Sequence, residues 1–199
     1  MRLFVAIDLP DSVRQALRQR LGEQRRDDGF PKARWVRSER FHWTLSFLGE
    51  VVADRQAEAV LDPLAAALRE AVDRHRACTL RVAGAGSFPT SGAARVLWLG
   101  VEESRPGALA ALAGDLAAAV EPWAEPRRGR KGSFKPHLTV ARCRPPWPRR
   151  AVERFLSGWK GFRGESFPVR EVVLYESFLQ PSGPRYVSRA RISLREEAG

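Results

Sequence analysis

The chain has 199 residues, of which 44% are hydrophobic and 29% charged, and its net charge is +11. This composition is typical of a globular protein with a substantial core, and it excludes a disordered chain or a small scaffold that depends on disulfides. The apolar segment after Arg2 ends at Asp8, too early for a signal peptide, and no stretch approaches the roughly 20 apolar residues of a membrane span. We therefore expect a soluble cytoplasmic protein with no membrane partner, in which Cys78 and Cys143 are reduced thiols.

Hydrophobic periodicity predicts an alternation of strands and helices. In chain order these are strand 2–7, helix 11–26, strands 35–36 and 41–48, helix 53–76, strands 79–83 and 95–101, helix 106–120, strand 137–142, helix 149–158, and strands 169–179 and 185–194. Pro63 marks a kink or a second start in its helix, Pro145–Pro148 is read as a turn, and Pro181–Gly183 is a hairpin signal. The repeated order of a helix followed by strands predicts an α+β fold. We expect one bilobal domain over 1–199, internally duplicated, with antiparallel sheets and outer helices around a central cleft.

The positive charge is concentrated between residues 127 and 150. Nine basic residues and no acidic residue occur there: Arg127, Arg128, Arg130, Lys131, Lys135, Arg142, Arg144, Arg149 and Arg150. Such a run is typical of phosphate or nucleic-acid recognition, although an arginine-rich chain also produces a plain solvated surface. We favour phosphate recognition because the run encloses a histidine motif. Its first part, 127–135, contains two glycines and is predicted to be a mobile loop.

Two short segments share the pattern of His, apolar residue, Thr, apolar residue. They begin at His42 and at His137, and their threonines are Thr44 and Thr139. Successive side chains of a strand point to opposite faces, so each histidine shares a face with its threonine while the apolar neighbours turn to a core. If one motif comes from each lobe, two imidazoles and two hydroxyl groups face one cleft.

The third histidine, His75, lies at the end of a charged helix and has no comparable setting. We therefore interpret it as structural. The sequence also has no His-Glu-x-x-His motif, cysteine cluster or aspartate-rich ligand spacing. No metal and no cofactor are expected.

Several separated blocks, in this order, resemble the two-histidine phosphoesterase superfamily, and within it the LigT-like RNA 2′,3′-cyclic phosphodiesterases of the 2′-5′ RNA ligase family. The blocks are Arg2–Pro10, Trp35–Val36, His42–Gly49, His137–Arg142, Leu174–Ser177 and Gly183–Tyr186. The resemblance implies a bilobal fold and a metal-independent hydrolase of cyclic phosphates at RNA ends, which converts them to 2′-phosphomonoesters and has 2′-5′ ligation as the reverse chemistry. The basic stretch around the second motif is the one departure from the family pattern.

Opening a cyclic phosphate requires a base for the attacking water and an acid for the departing oxygen, and two histidines suit both tasks near neutral pH. Thr44 and Thr139 are predicted to donate hydrogen bonds to the phosphate oxygens, and Arg142 to add a charged one. Strict alternation places Arg142 on the Leu138 face, so this role requires a break in the strand after Val140. Otherwise Arg142 is a rim contact or a solvated side chain.

The two histidines differ in their sequence neighbours. Lys135 and Arg142 flank His137, and nearby cations favour the neutral imidazole that a proton acceptor needs. His42 lies near Glu50 and fewer cations. We therefore predict that His42 is the proton donor and His137 the proton acceptor.

RNA contacts are predicted in the basic segment. The residues are Arg127, Arg128, Arg130, Lys131, Lys135 and Phe134. Phe134 and Trp147 are candidates to stack a terminal base. Phe41 and Trp43 lie on the strand face opposite His42 and are expected in the core. Tyr175 and Tyr186 are expected to stabilise the fold.

Three functions compete at this point. The first is hydrolysis of RNA 2′,3′-cyclic phosphate ends, tRNA fragments among the substrates, by a monomer. The second is hydrolysis of a small cyclic nucleotide such as ADP-ribose cyclic phosphate, which the long basic segment disfavours. The third is an RNA-binding module without catalysis, which has no need of two imidazoles.

Overall fold

The computed structural model describes residues 1–26, 30–51, 57–125, 134–181 and 183–196. Their elements are β1 (Arg2–Asp8), α1 (Asp11–Arg25), β2 (Arg34–Trp35), β3 (His42–Glu50), α2 (Leu61–Val72), β4 (Cys78–Phe88), β5 (Ala94–Glu103), α3 (Ala108–Ala119), β6 (Leu138–Trp147), α4 (Arg149–Ser157), β7 (Arg163–Val169), β8 (Glu171–Phe178) and β9 (Arg185–Ser193). Short 3₁₀ turns lie at Ser38–Arg40, Ala57–Val60 and Glu121–Trp123. Within the described ranges, no helix is long and apolar enough to cross a membrane.

The strands form two antiparallel sheets. The four-stranded sheet has the order β3-β1-β8-β9, and the five-stranded sheet has the order β2-β6-β5-β4-β7. Every pair of neighbouring strands in these sheets is antiparallel. The predicted α+β class with antiparallel sheets is therefore confirmed. One motif strand, β3, lies at an edge of the first sheet, and the other, β6, lies inside the second.

The helices cover the sheets and close one continuous core. α2 and α3 pack against each other, and they contact β9 and β3 of the four-stranded sheet. α4 contacts β4 of the five-stranded sheet, and Gln24 of α1 donates a hydrogen bond to the Phe155 carbonyl of α4 (2.9 Å). Apolar side chains from both sheets and from α1, α2, α3 and α4 belong to a single buried cluster. Burial of this apolar surface holds the two sheets in a fixed relation.

Most predicted elements are present, and two differences have a local cause. In the predicted helix 53–76, the α-helix begins at Leu61, with Pro63 in its first turn, where a missing N–H costs little. Strand β7 was not predicted at all. It contains Gly164 and Pro168, which weaken a strand signal but are tolerated because β7 is an edge strand.

The turn predicted at Pro145–Pro148 is instead the end of β6, which continues to Trp147. Trp147 is fully buried, donates its indole N–H to the Lys32 carbonyl (3.1 Å) and stacks on Phe30 at a ring distance of 5.2 Å. The prediction that Trp147 stacks an RNA base is therefore wrong, because a side chain with no exposed surface has none to offer a base.

We expect Trp147→Ala to lower the free energy of unfolding by about 3–5 kcal/mol, because it removes a fully buried aromatic side chain and leaves a cavity. Urea denaturation followed by circular dichroism measures the change. The control is Leu179→Ala, since Leu179 is 71% exposed and should change stability by less than about 0.5 kcal/mol. A loss at Trp147 as small as the control's would contradict a core role.

Candidate active site

The first motif lies at the start of β3 with the predicted parity. Trp43 and Leu45 are buried, whereas His42 and Thr44 on the opposite face are half-buried. Phe41, just before the strand, is 2% exposed and also belongs to the core, as predicted. The apolar side of the strand thus anchors it, and the polar side carries the histidine and the threonine.

The second motif repeats this arrangement on β6. His137 directly precedes the strand, Leu138 and Val140 have no exposed surface, and Thr139 is half-buried on the opposite face. The sequence alternation therefore predicted the orientation of both motifs. It did not predict where each strand departs from alternation.

One unpaired residue follows the threonine in each motif. Strand β1 pairs with Thr44 and then with Ser46, and the residue between them has no partner. Strand β5 pairs with Thr139 and then with Ala141, again skipping one residue. Both irregularities are β-bulges, in which an extra residue shifts the alternation of the strand by one position.

The bulge in β6 settles the face of Arg142. Val140 and Ala141 are both buried, and Arg142 is exposed on the side of Thr139. The proposed phosphate contact of Arg142 required a break after Val140, and the register supplies that break. In β3 the corresponding position is Phe47, whose ring has the Arg2 guanidinium 5.1 Å from its centre.

The two motifs meet where the sheets adjoin. Strands β3 and β6 are in contact although they belong to different sheets. The His137 imidazole lies close enough to His42 that its charge lowers the His42 pKa. One imidazole from each sheet is thus brought to a common site.

Both imidazoles are held by the same backbone contact. His42 Nδ1 lies 2.8 Å from the Arg40 carbonyl oxygen, and His137 Nδ1 lies 2.8 Å from the Lys135 carbonyl oxygen. A carbonyl oxygen only accepts, so Nδ1 carries the proton in each neutral ring and Nε2 is the nitrogen that gains or loses a proton. His42 Nε2 lies 3.1 Å from Thr44 Oγ1, which places the hydroxyl beside that nitrogen.

Aromatic side chains flank both histidines. The Phe4 and Tyr186 rings lie 5.0 and 5.3 Å from the His42 ring. The Phe88 and Trp98 rings lie 5.0 and 6.3 Å from the His137 ring. These contacts restrict the orientation of each imidazole. Tyr186, expected only to stabilise the fold, is therefore also part of the site.

Burial lowers the pKa of His42 below its usual value, and this is the largest effect on that group. The Arg14 guanidinium lowers the pKa further, while the bond to the Arg40 carbonyl and the Asp8 carboxylate raise it. The roles of the two histidines were predicted from the charged residues near each of them in the sequence, which does not show this burial. In the free protein, burial favours the neutral form of His42. The predicted role of proton donor assumed instead that His42 is the more readily protonated of the two rings.

Asp8 connects His42 to a polar network. It lies directly opposite His42 in the pairing of β1 with β3 and accepts a hydrogen bond from the Tyr175 hydroxyl (2.6 Å). Arg14 lies 3.6 Å from Asp8 and donates to the Glu39 carbonyl (3.2 Å), in the 3₁₀ turn whose Arg40 carbonyl holds His42. In the sequence, Asp8 could have been noticed as the carboxylate that directly follows the apolar run Leu3–Ile7.

The remaining predicted site residues have different outcomes. Arg127, Arg128, Arg130 and Lys131 lie outside the described residues. Lys135 is exposed, with its Nζ 4.7 Å from the centre of the Trp98 ring, and Phe134 is half-buried against the core. Their RNA contacts stay predictions. His75 Nε2 lies 2.9 Å from Asp115 Oδ2, a side chain of α3.

No group of three or more His, Cys, Asp or Glu side chains placed to hold a metal ion occurs within the described parts of the chain.

Comparison with known proteins gives consistent matches over nearly the whole chain. The model of the 2′-5′ RNA ligase superfamily matches residues 48–177. Proteins named RNA 2′,3′-cyclic phosphodiesterase from Archaeoglobus fulgidus and Thermus thermophilus are each 33% identical, over 94% and 100% of this chain and 96% and 93% of theirs. A crystal structure of a Thermus thermophilus protein has a TM-score of 0.74 at 31% identity and covers 100% of both chains. Escherichia coli LigT complexed with 3′-AMP has a TM-score of 0.67 at 30% identity and covers 97% of each chain.

We expect Asp8→Asn to lower the pKa of His42 further, because it removes the carboxylate charge that favours the protonated ring and keeps an oxygen that can accept from Tyr175. An NMR titration of the His42 ring protons measures the shift. Asp62→Asn, at an exposed position in the first turn of α2, makes the same charge change and should leave His42 unaffected. An unchanged or higher pKa in Asp8→Asn would show that Asp8 does not act on His42.

Proposed function

This chain belongs to the 2′-5′ RNA ligase superfamily, and from that membership we propose that it hydrolyses 2′,3′-cyclic phosphate ends of RNA to 2′-phosphomonoesters. The observation that carries the proposal is the meeting of two His-x-Thr strands, one from each sheet, with both imidazoles oriented by the same backbone contact. The names of the relatives support the substrate. The whole chain acts as one catalytic domain with a motif from each lobe, and a monomer suffices because one chain supplies both motifs.

The reaction needs two proton transfers on opposite sides of phosphorus. One imidazole accepts a proton from water as its oxygen bonds to phosphorus. The other gives a proton to the ribose 3′ oxygen as the bond from phosphorus to that oxygen breaks, leaving a 2′-phosphate and a 3′-hydroxyl. Because Nδ1 of each ring is engaged with a carbonyl, both transfers pass through Nε2 of His42 and His137.

Negative charge grows on the two non-bridging phosphate oxygens during this step. Thr44 and Thr139 stand beside the histidines on the same strand faces, and their hydroxyl groups donate to these oxygens. Arg142, brought to the same face by the bulge, adds a charged donor. The proposed mechanism uses no metal ion. If the 5′-hydroxyl of a second RNA replaces water, the same step forms a 2′-5′ phosphodiester, which is the proposed ligation.

We keep the proposed roles of His42 as proton donor and His137 as proton acceptor, but the lowered pKa of His42 means that it needs the bound substrate in order to act as the donor. Burial lowers the pKa of His42 and so favours the neutral form of the free ring, whereas a phosphate anion beside Nε2 favours the protonated form. Substrate binding would then favour protonation of His42, the form that it needs as the proton donor.

We expect His42→Ala and His137→Ala each to lower turnover of an RNA ending in a 2′,3′-cyclic phosphate by at least about 10²-fold, since loss of a general acid or base costs about 10²- to 10⁴-fold. Product formation is followed by chromatography in the presence of EDTA. His75→Gln is the matched control, because it removes an imidazole that is hydrogen-bonded to Asp115 of α3. Full activity of either motif variant, or loss of wild-type activity in EDTA with rescue by a divalent ion, would contradict the mechanism.

The same assay separates the alternative substrates. A clear preference for ADP-ribose cyclic phosphate over cyclic-phosphate RNA would assign the chain to small nucleotides. If the protein binds RNA but hydrolyses no cyclic phosphate, it is an RNA-binding module without catalysis.

We expect adenosine 2′-monophosphate, an analogue of the product end, to raise the pKa of His42, because its phosphate places negative charge beside the ring. NMR titrations with and without the nucleotide measure this change. The His75 signals serve as an internal control and should not respond to the nucleotide. A His42 ring that stays neutral through the same pH range with the nucleotide bound would reverse the two roles.

A further inference from the structure

Arginine side chains converge on one rim of the site, beyond the two motifs. Arg34 lies on β2 directly opposite Arg142 on β6. Side chains opposite each other in an antiparallel pair stand on the same face, about 4.5–5.5 Å apart at Cβ. Arg34 therefore faces the same side as Arg142 and Thr139. It is one strand further out, at the edge of the five-stranded sheet.

The hairpin between β8 and β9 approaches the same arginines from the other sheet. At Gly183 a Cβ atom would collide with the Arg40 guanidinium and would lie 3.2 Å from Arg34 Nη2. Gly183 has φ +104°, which also favours glycine. The guanidinium groups of Arg34 and Arg40 thus meet over a position without a side chain.

Tyr186 gives an independent indication of the same cluster. Burial raises the pKa of its hydroxyl, and Arg142, Arg40 and Arg2 each lower it through their positive charge. Several guanidinium groups therefore lie near a ring that packs edge-on against His42.

Two of these arginines, Arg34 and Arg142, form no ion pair with an acidic side chain of the described residues. Like charges placed directly opposite each other on a sheet are destabilising. An anion beside Arg34 lessens that repulsion, and guanidinium groups suit a phosphate because they donate in a planar fork.

We propose that Arg34 and Arg40 bind the phosphodiester immediately 5′ of the terminal nucleotide of the RNA. This inference rests on the proposed function, which places the reacting phosphate between the two motifs. Arg142 stands beside Thr139 at that phosphate, whereas Arg34 is one strand spacing, about 4.8 Å, further out. A nucleotide chain leaving the site over the Gly183 hairpin reaches this pair next. The subsite distinguishes an RNA end from a cyclic mononucleotide, which has no such phosphate.

Two short RNAs isolate the charge of that phosphate. Both are trinucleotides with a 2′,3′-cyclic phosphate end, and they differ only in the linkage before the terminal nucleotide, which is a phosphodiester in one and an uncharged methylphosphonate in the other. The kcat/KM of each is measured for the wild type, Arg34→Gln, Arg34→Lys and Arg69→Gln. Arg69 is exposed on the outer helix α2 and provides the same charge change away from the rim.

We expect the wild type to prefer the phosphodiester by about tenfold or more, as for a hydrogen bond to a charged group. Arg34→Gln should bring this ratio close to one, Arg34→Lys should restore part of it, and Arg69→Gln should keep it. A ratio in Arg34→Gln equal to that of the wild type overturns the proposal. Equal large losses on both RNAs would overturn it too, since Arg34 would then serve the reacting phosphate.

Failure of the proposed function has a different signature. If the wild type hydrolyses neither RNA, the function is wrong. The same comparison is then made on binding of the two RNAs by fluorescence anisotropy. Weaker binding of the phosphodiester RNA alone in Arg34→Gln supports the subsite, and unchanged binding overturns it.

Discussion

Donation of each Nδ1–H to a main-chain carbonyl two residues earlier is the contact on which the site depends. The bond from His42 to Arg40 and the bond from His137 to Lys135 have the same length, 2.8 Å, in two different sheets. Each fixes both the tautomer and the direction of its ring. Because the acceptor is backbone, the arrangement is set by the main chain just before each strand rather than by a neighbouring side chain. The carboxylate that often orients a catalytic histidine is replaced here by the peptide chain.

The parity of the two motifs was predictable because alternation along a strand is a local property. Trp43 and Leu138 are apolar and turn to the core, so the histidine next to each of them has to point to the opposite face. The bulges were not predictable, because a bulge is defined only against the neighbouring strand. They decide where Arg142 points, which sequence reasoning correctly left dependent on a break after Val140.

Longer-range effects explain what else was missed. His42 packs against Phe4 and Tyr186, which come from other strands of its sheet, so sequence neighbours gave the wrong basis for its protonation state. The Arg34 and Arg40 cluster joins β2, a 3₁₀ turn and a distant hairpin, which no spacing along the chain connects. Trp147 lies among basic residues in the sequence but inside the core in space. The sequence shows which segment is rich in positive charge. Which arginines face the site depends on how the strands and turns pack together.

The paired bulges also set how the chain tolerates changes of length. Loops at a surface accept insertions and deletions readily, whereas removing one residue between Thr139 and Arg142 would restore strict alternation. Arg142 would then lie two positions after Thr139 and would keep its face, so this deletion removes only the bulge. The same deletion in a regular part of either strand would exchange the faces of all later side chains, so each bulge marks the point of its motif strand where the loss of one residue leaves those faces unchanged.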